Sequence, residues 1–190
     1  MKLNMKTVLR LAVIFVSFTQ MTFAQTFLNL DFEKNKDGKP EGWLFAGEGY
    51  KMYSDTTTRL IGKNSLCMER VKEDGKVASA VIIMSAGRVK GKTIKYSGYI
   101  KTENVKGGYA YLWLRVVNDD KQLQYNDMDR EGVKNSKDWQ KLTIELTIDE
   151  KATEIALGLR LQGSGKAWFD HLQIEVDGNV YDDIIPGVIK

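Results

Sequence analysis

The chain has one cysteine, one histidine and two prolines in 190 residues. With Cys67 alone, an internal disulfide is excluded, and with only His171 beside it no zinc site of the multi-histidine or cysteine-rich kind can be assembled. Histidine-assisted serine or cysteine catalysis would have to run through His171. Amphipathic helical periodicity of any length is hard to find, and no Pro-rich or Ser-rich linker, internal repeat or low-complexity tract marks a second domain. What is present, 43% hydrophobic and 28% charged residues, is the composition of a soluble globular domain.

The first 24 residues read as something other than the fold. Residues 1–6 are basic, residues 7–18 are almost continuously apolar, and Thr22 and Ala24 place small residues at minus three and minus one before Gln25. That is the layout of a secretory signal peptide, and the apolar run is too short to favour an uncleaved membrane span. Gln25, rather than Cys, after the cleavage point disfavours lipid attachment. Lys2, Lys6 and Arg10 are three of the 28 basic residues, so 25 remain to balance 25 acids, and the formal charge falls from +3 to zero on cleavage. A nucleic-acid partner inferred from the basic precursor would mistake an export signal for a phosphate-binding surface. The expectation is a periplasmic or extracellular protein with no membrane attachment, a single domain over residues 25–190, and a frayed tail from about residue 182. Cys67 is expected as a small buried core residue rather than a reactive thiol.

From residue 26 onward, period-two patterns and Gly-bearing turns dominate. Strands are expected at 77–84, 93–102, 108–118, 139–148, 154–162 and 166–176, with breaks at 87–91, 106–108 and 162–165, and a short last strand at 180–181. The spacing is that of an all-β antiparallel sandwich.

Strand parity brings function into view. In 108–118, Ala110, Leu112, Leu114 and Val116 share one face, and Tyr109, Tyr111, Trp113 and Arg115 share the other. In 154–162, Ile155, Leu157, Leu159 and Leu161 oppose Ala156, Gly158, Arg160 and Gln162. In 93–102, Tyr99 falls on the polar side. If these polar faces lie on one sheet, Tyr99, Tyr111, Trp113, Arg115, Arg160 and Gln162 converge on one concavity, with Tyr125, Asn126 and Met128 as its wall. Rings beside fixed donors suit a saccharide, whose C–H face stacks while its hydroxyls pair with Arg and Gln. Two other readings stay open: exposed aromatics at a protein interface, and rings that merely favour strands and are covered by a further layer.

Asn29-Leu30-Asp31-Phe32-Glu33, Pro40-Glu41-Gly42-Trp43, Gly62-Lys63-Asn64-Ser65-Leu66 and the closing Trp168-Phe169-Asp170-His171-Leu172-Gln173-Ile174 together resemble the galactose-binding-like jelly rolls typified by family 4, 9 and 22 carbohydrate-binding modules. The middle, with Gly98-Tyr99-Ile100-Lys101-Thr102 and Trp113-Leu114-Arg115, is similar to the non-catalytic N-terminal domain that precedes peptidase or erythromycin-esterase-like domains in exported Bacteroidetes-type proteins. The resemblance spans essentially all of the mature chain and implies a jelly-roll sandwich that binds a glycan or an exported protein partner. It departs at Leu30, where the modules carry Gly, and at His171, where they often carry Asp. It also implies a structural calcium ion joining the first and last strands through Glu33 and Asp170, against which stands a pair of carboxylates capped by backbone hydrogen bonds.

The remaining chemistry is thin. Asn118-Asp119-Asp120 and Asn126-Asp127-Met128-Asp129 lack the other ligands of a calcium loop and read as turns. His171 has no nucleophile near it in sequence. Glycosidase or jelly-roll lyase chemistry stays a third reading, because carboxylates, Tyr, Arg and Lys are present, but no motif supports it.

Overall fold

Residues 28–119, 121–128 and 131–181 of the computed structural model are described here; the signal-like segment and the tail from residue 182 lie outside them. The opening residues tie into one knot. Asn29 accepts a bond from the Lys34 amide (3.1 Å) and donates to the Lys34 and Glu41 carbonyls, and the Trp43 indole donates to the Asn29 carbonyl at 2.9 Å. Phe32, in the left-handed region at φ 59°, packs its ring 5.4 Å from Trp43. The knot holds a small hairpin of β1 (Asn35–Lys36) and β2 (Lys39–Pro40) against the sandwich.

Every regular element among the described residues is a strand. They run β3 (Leu44–Ala46), β4 (Tyr50–Asp55), β5 (Ser65–Arg70), β6 (Val77–Ser85), β7 (Thr93–Asn118), β8 (Lys121–Asp127), β9 (Val133–Thr147), β10 (Glu154–Gln162), β11 (Lys166–Val176) and β12 (Asn179–Val180). The expected break at 106–108 is instead a bend within the single 26-residue β7. Gly107 takes a positive φ of 72° there, a left-handed residue that turns the chain while strand pairing continues on either side.

That bend organises the fold. The first half of β7 pairs with β9 and β11, giving a sheet in the order β9-β7-β11-β5-β4. The second half pairs with β8 and β10, giving a second sheet in the order β8-β7-β10-β6-β3. All pairings are antiparallel, and the two sheets face each other as an all-β jelly-roll sandwich: the antiparallel sandwich is what the turn spacing leads one to expect, the jelly roll what the resemblance implies.

The core follows from alternation. Leu112 and Leu114 of β7, Leu157 and Leu159 of β10 and Ala80 and Ile82 of β6 are in register and almost fully buried. Facing them from the first sheet are Ile94, Tyr96, Ile100, Phe169, Leu66 and Met68. Cys67 is buried as expected, and burial pushes its thiol up to about 12, which keeps it protonated and inert.

Candidate functional site

The outer face of the second sheet carries the site. Register sets Trp113 beside Gly158 and Gly158 beside Val81, and sets Tyr111 beside Arg160 and Arg160 beside Ser79. The Trp113 indole lies across β10 and donates from Nε1 to the Ser79 Oγ on β6 at 3.0 Å. A side chain at position 158 would occupy the space of the indole, so glycine is what lets the ring lie flat.

A second layer covers that ring. The Arg160 guanidinium stands 5.4 Å from the Trp113 ring and 5.8 Å from the Tyr111 ring. Its Nη1 reaches the Tyr111 and Tyr125 hydroxyls at 3.5 and 3.4 Å, both long contacts. Tyr125 leans on Trp113 at 6.2 Å between centroids. Trp113 is therefore only 7% exposed and Tyr111 3%, whereas Tyr125 is 41% exposed. The expectation that the Trp113 row meets solvent directly is corrected: it does face away from the sandwich core, but Arg160 and Tyr125 roof it.

Electrostatically the roof is cationic. Burial raises the Tyr125 phenol, Arg160 opposes this, and a hydrogen bond with Asp127 raises it further. The phenol thus stays protonated and accepts from Arg160 Nη1. Neither Arg160 nor the exposed Arg115 pairs with a carboxylate among the described residues, and the Arg160 Nε is buried without a partner. Exposed Leu44, Val77 and Ile83 continue the same face on β3 and β6. The arrangement offers a ring edge, guanidinium groups with no carboxylate partner among the described residues, and an apolar strip.

Arg115, Tyr111, Trp113, Tyr125, Arg160 and Gln162 all share this face, Gln162 at its far end. Three expected members do not. Tyr99 lies on the other sheet, opposite Lys141 and Asp170, because the bend in β7 carries the chain from one sheet to the next. Asn126 pairs with Leu114 and so points to the core side of the sheet edge. Met128 is buried in the core. Parity alone missed Ser79 and Leu44, which reach the face only through the pairing of β6 and β3.

Glu33 and Asp170, the two residues expected to hold calcium, both accept backbone amides. Asp170 is buried; its Oδ2 accepts the amides of Leu60 and Ile61 (2.6 and 3.1 Å) and its Oδ1 accepts that of His171 (2.6 Å). Glu33 Oε1 accepts the amides of Lys63 and Asn64 at 2.8 and 3.0 Å. Asp55 Oδ1 takes the amides of Thr57 and Thr58 (2.7 and 3.1 Å), and its Oδ2 takes the Trp168 indole at 2.8 Å. Three carboxylates thus capture the loop between β4 and β5 by successive amide pairs. No three acidic, histidine or cysteine side chains converge among the described residues; Asp120 and Asp129 lie outside them. His171 sits on a β-bulge at φ 49°, exposed, its ring 6.0 Å from Tyr99.

No family model matches the chain. One curated relative, an uncharacterised HTH-type transcriptional regulator of Bacillus subtilis, is 31% identical over 166 residues, covering 84% of this chain and 56% of its own length. The chain thus spans little more than half of that relative. Among solved structures, the xylan-binding domain of carbohydrate-binding module family 22 is similar at a TM-score of 0.56 with 18% identity, covering 84% of this chain and 99% of that one. The enzymatically active domain of tailspike protein 4 of bacteriophage CBA120 is similar at 0.58 with 7% identity, covering 76% of this chain and 21% of that one. At these identities the likeness shows the jelly-roll fold.

Proposed function

We propose that the chain is an exported, non-catalytic jelly-roll domain that binds a saccharide on the outer face of its second sheet. The observation that carries the reading is the roofed pair of Trp113 and Arg160: a guanidinium with no carboxylate partner among the described residues, held on a ring bed, beside the exposed ring of Tyr125. Tyr125 supplies the stacking surface, Arg160 and Arg115 donate to hydroxyls, and Trp113 is the floor that fixes Arg160. Similar folds described as carbohydrate-binding modules support the ligand class, and the signal-like residues 1–24 support export. Affinity electrophoresis through gels carrying xylan, galactan, glucan or an acidic polysaccharide tests it. At least one polymer retards the wild type and fails to retard Tyr125→Ala; the reading falls if no polymer does so.

A second reading rests on the 31% identical regulator. The described residues hold no helix to enter a DNA groove, so the shared segment would be a ligand-sensing part of such a protein. Fractionation of cells expressing the chain decides between the two: periplasmic recovery supports export, cytoplasmic recovery the sensor.

A further inference from the structure

Two hollows adjoin at the bend of β7. One, of about 530 Å³, runs along the start of β9, and the other, of about 410 Å³, lies between that strand and residues 105–109; both are lined by Lys134 and Asn135. Each falls in the roughly 300–1,000 Å³ range of ligand sites. Four lysines line them, Lys106 from β7 and Lys134, Lys137 and Lys141 from β9, against one acid, Glu131. None of the four lysines has an ion-pair partner among the described residues. The second hollow continues the face already described, because Tyr109 and Gln162 stand two residues beyond Tyr111 and Arg160 along β7 and β10. A chain-like ligand laid from Tyr125 past Arg160 therefore arrives among ammonium groups.

We infer that this extended face takes an acidic polysaccharide, with Lys134 and Lys137 holding its carboxylate or sulfate groups. The inference rests on the saccharide reading of the Tyr125 face and adds the charge class of the ligand. A saccharide fits better than a nucleic acid. The Lys134 ammonium sits 5.4 Å over the Tyr109 ring and takes the face on which a base would stack, while side-chain amides of Asn135 and Gln162 stand ready for hydroxyls. The charge is local rather than global, since Lys and Arg total 28 against 25 acids. Four ammonium groups along two adjoining hollows act together on a repeating anion where one exposed pair would do little.

The test is affinity electrophoresis at physiological ionic strength through gels of polygalacturonate, dextran sulfate or neutral xylan, with wild type, Lys134→Gln/Lys137→Gln and Tyr125→Ala. The expected result is tighter retention by an acidic polymer than by xylan. The double-lysine variant should lose about tenfold for the acidic polymer and nothing for the neutral one. Which of the two acidic gels retards the protein tells carboxylate from sulfate. Equal affinity of the double-lysine variant and wild type for the acidic polymers overturns the inference, and so does equal competition by single-stranded DNA. Tyr125-dependent binding of xylan with no preference for acid overturns this inference alone. Lysine-dependent acidic binding that Tyr125→Ala leaves intact keeps the lysine site and removes the saccharide reading of the Tyr125 face. Absence of binding to any polymer overturns both.

Discussion

The Trp113 indole lies over the backbone of Gly158, in the space a side chain there would fill, and reaches Ser79 at 3.0 Å on the strand beyond. Three strands are thereby fixed to one another on the face away from the core. Gly158→Ala is expected to displace the ring and break the Ser79 bond, costing about 2 kcal/mol of stability, at the middle of the range for overpacking. Urea unfolding measures the loss, and a red shift of native tryptophan emission reports the displaced indole. A variant as stable as wild type contradicts the flat seating of the ring.

Tyr125 is the exposed member of the cluster, so Tyr125→Ala should leave the unfolding midpoint within a degree or two while weakening saccharide binding roughly tenfold, as loss of one stacking partner does. Parallel melts and affinity gels separate the two effects. Loss of stability in step with loss of binding would make Tyr125 a packing residue only.

Much of this face was legible from alternation. The rows from Tyr109 to Arg115 and from Ala156 to Gln162 fall on one face, as period two requires. What alternation cannot give is the cover. Lys121–Asp127 is too polar to announce itself as a strand, yet as β8 it pairs along β7 and lays Tyr125 over Trp113. Nor does period two report a change of sheet: Tyr99 and Tyr111 sit on one continuous strand, and only the bend near Gly107 sends them to different sheets. The order of the opening and closing motifs pointed to Glu33 and Asp170 and left calcium or backbone caps open; which amides they take follows only from the course of the loop between β4 and β5.

A cation at Glu33 and Asp170 would compete with five amide donors. Millimolar calcium or excess EGTA is therefore expected to leave the melting temperature unchanged. A rise of several degrees with calcium, reversed by EGTA, would show that the loop rearranges around a cation.

The loop should respond to acid through Asp55. Burial raises that carboxyl, but hydrogen bonds from Thr57, Trp168 and the Thr57 and Thr58 amides outweigh it, so the folded value lies below the ordinary one. A lowered folded value means stability that is present above about pH 4 and lost as the pH falls through the folded value. Asp55→Ala should cost about 2 kcal/mol at neutral pH, the worth of hydrogen bonds to a charged acceptor. The gap from wild type should narrow on acidification below about pH 4. Asp170 runs the other way: burial outweighs its three amide bonds and raises it, so its contribution weakens as the pH rises through its titration range. Denaturation midpoints across pH 3 to 7 check both signs; a gap for Asp55→Ala that does not change with pH contradicts the assignment.

Amide chemical-shift mapping, with the retained oligosaccharide titrated into the labelled chain, addresses the central claim most directly. The account predicts saturable shifts at Tyr125, Asp127, Arg115, Arg160 and Ser79, with the strands of the first sheet unmoved. Shifts confined to residues 56–64 or to the first sheet, or no shifts with a polymer that retards the protein in gels, would contradict it.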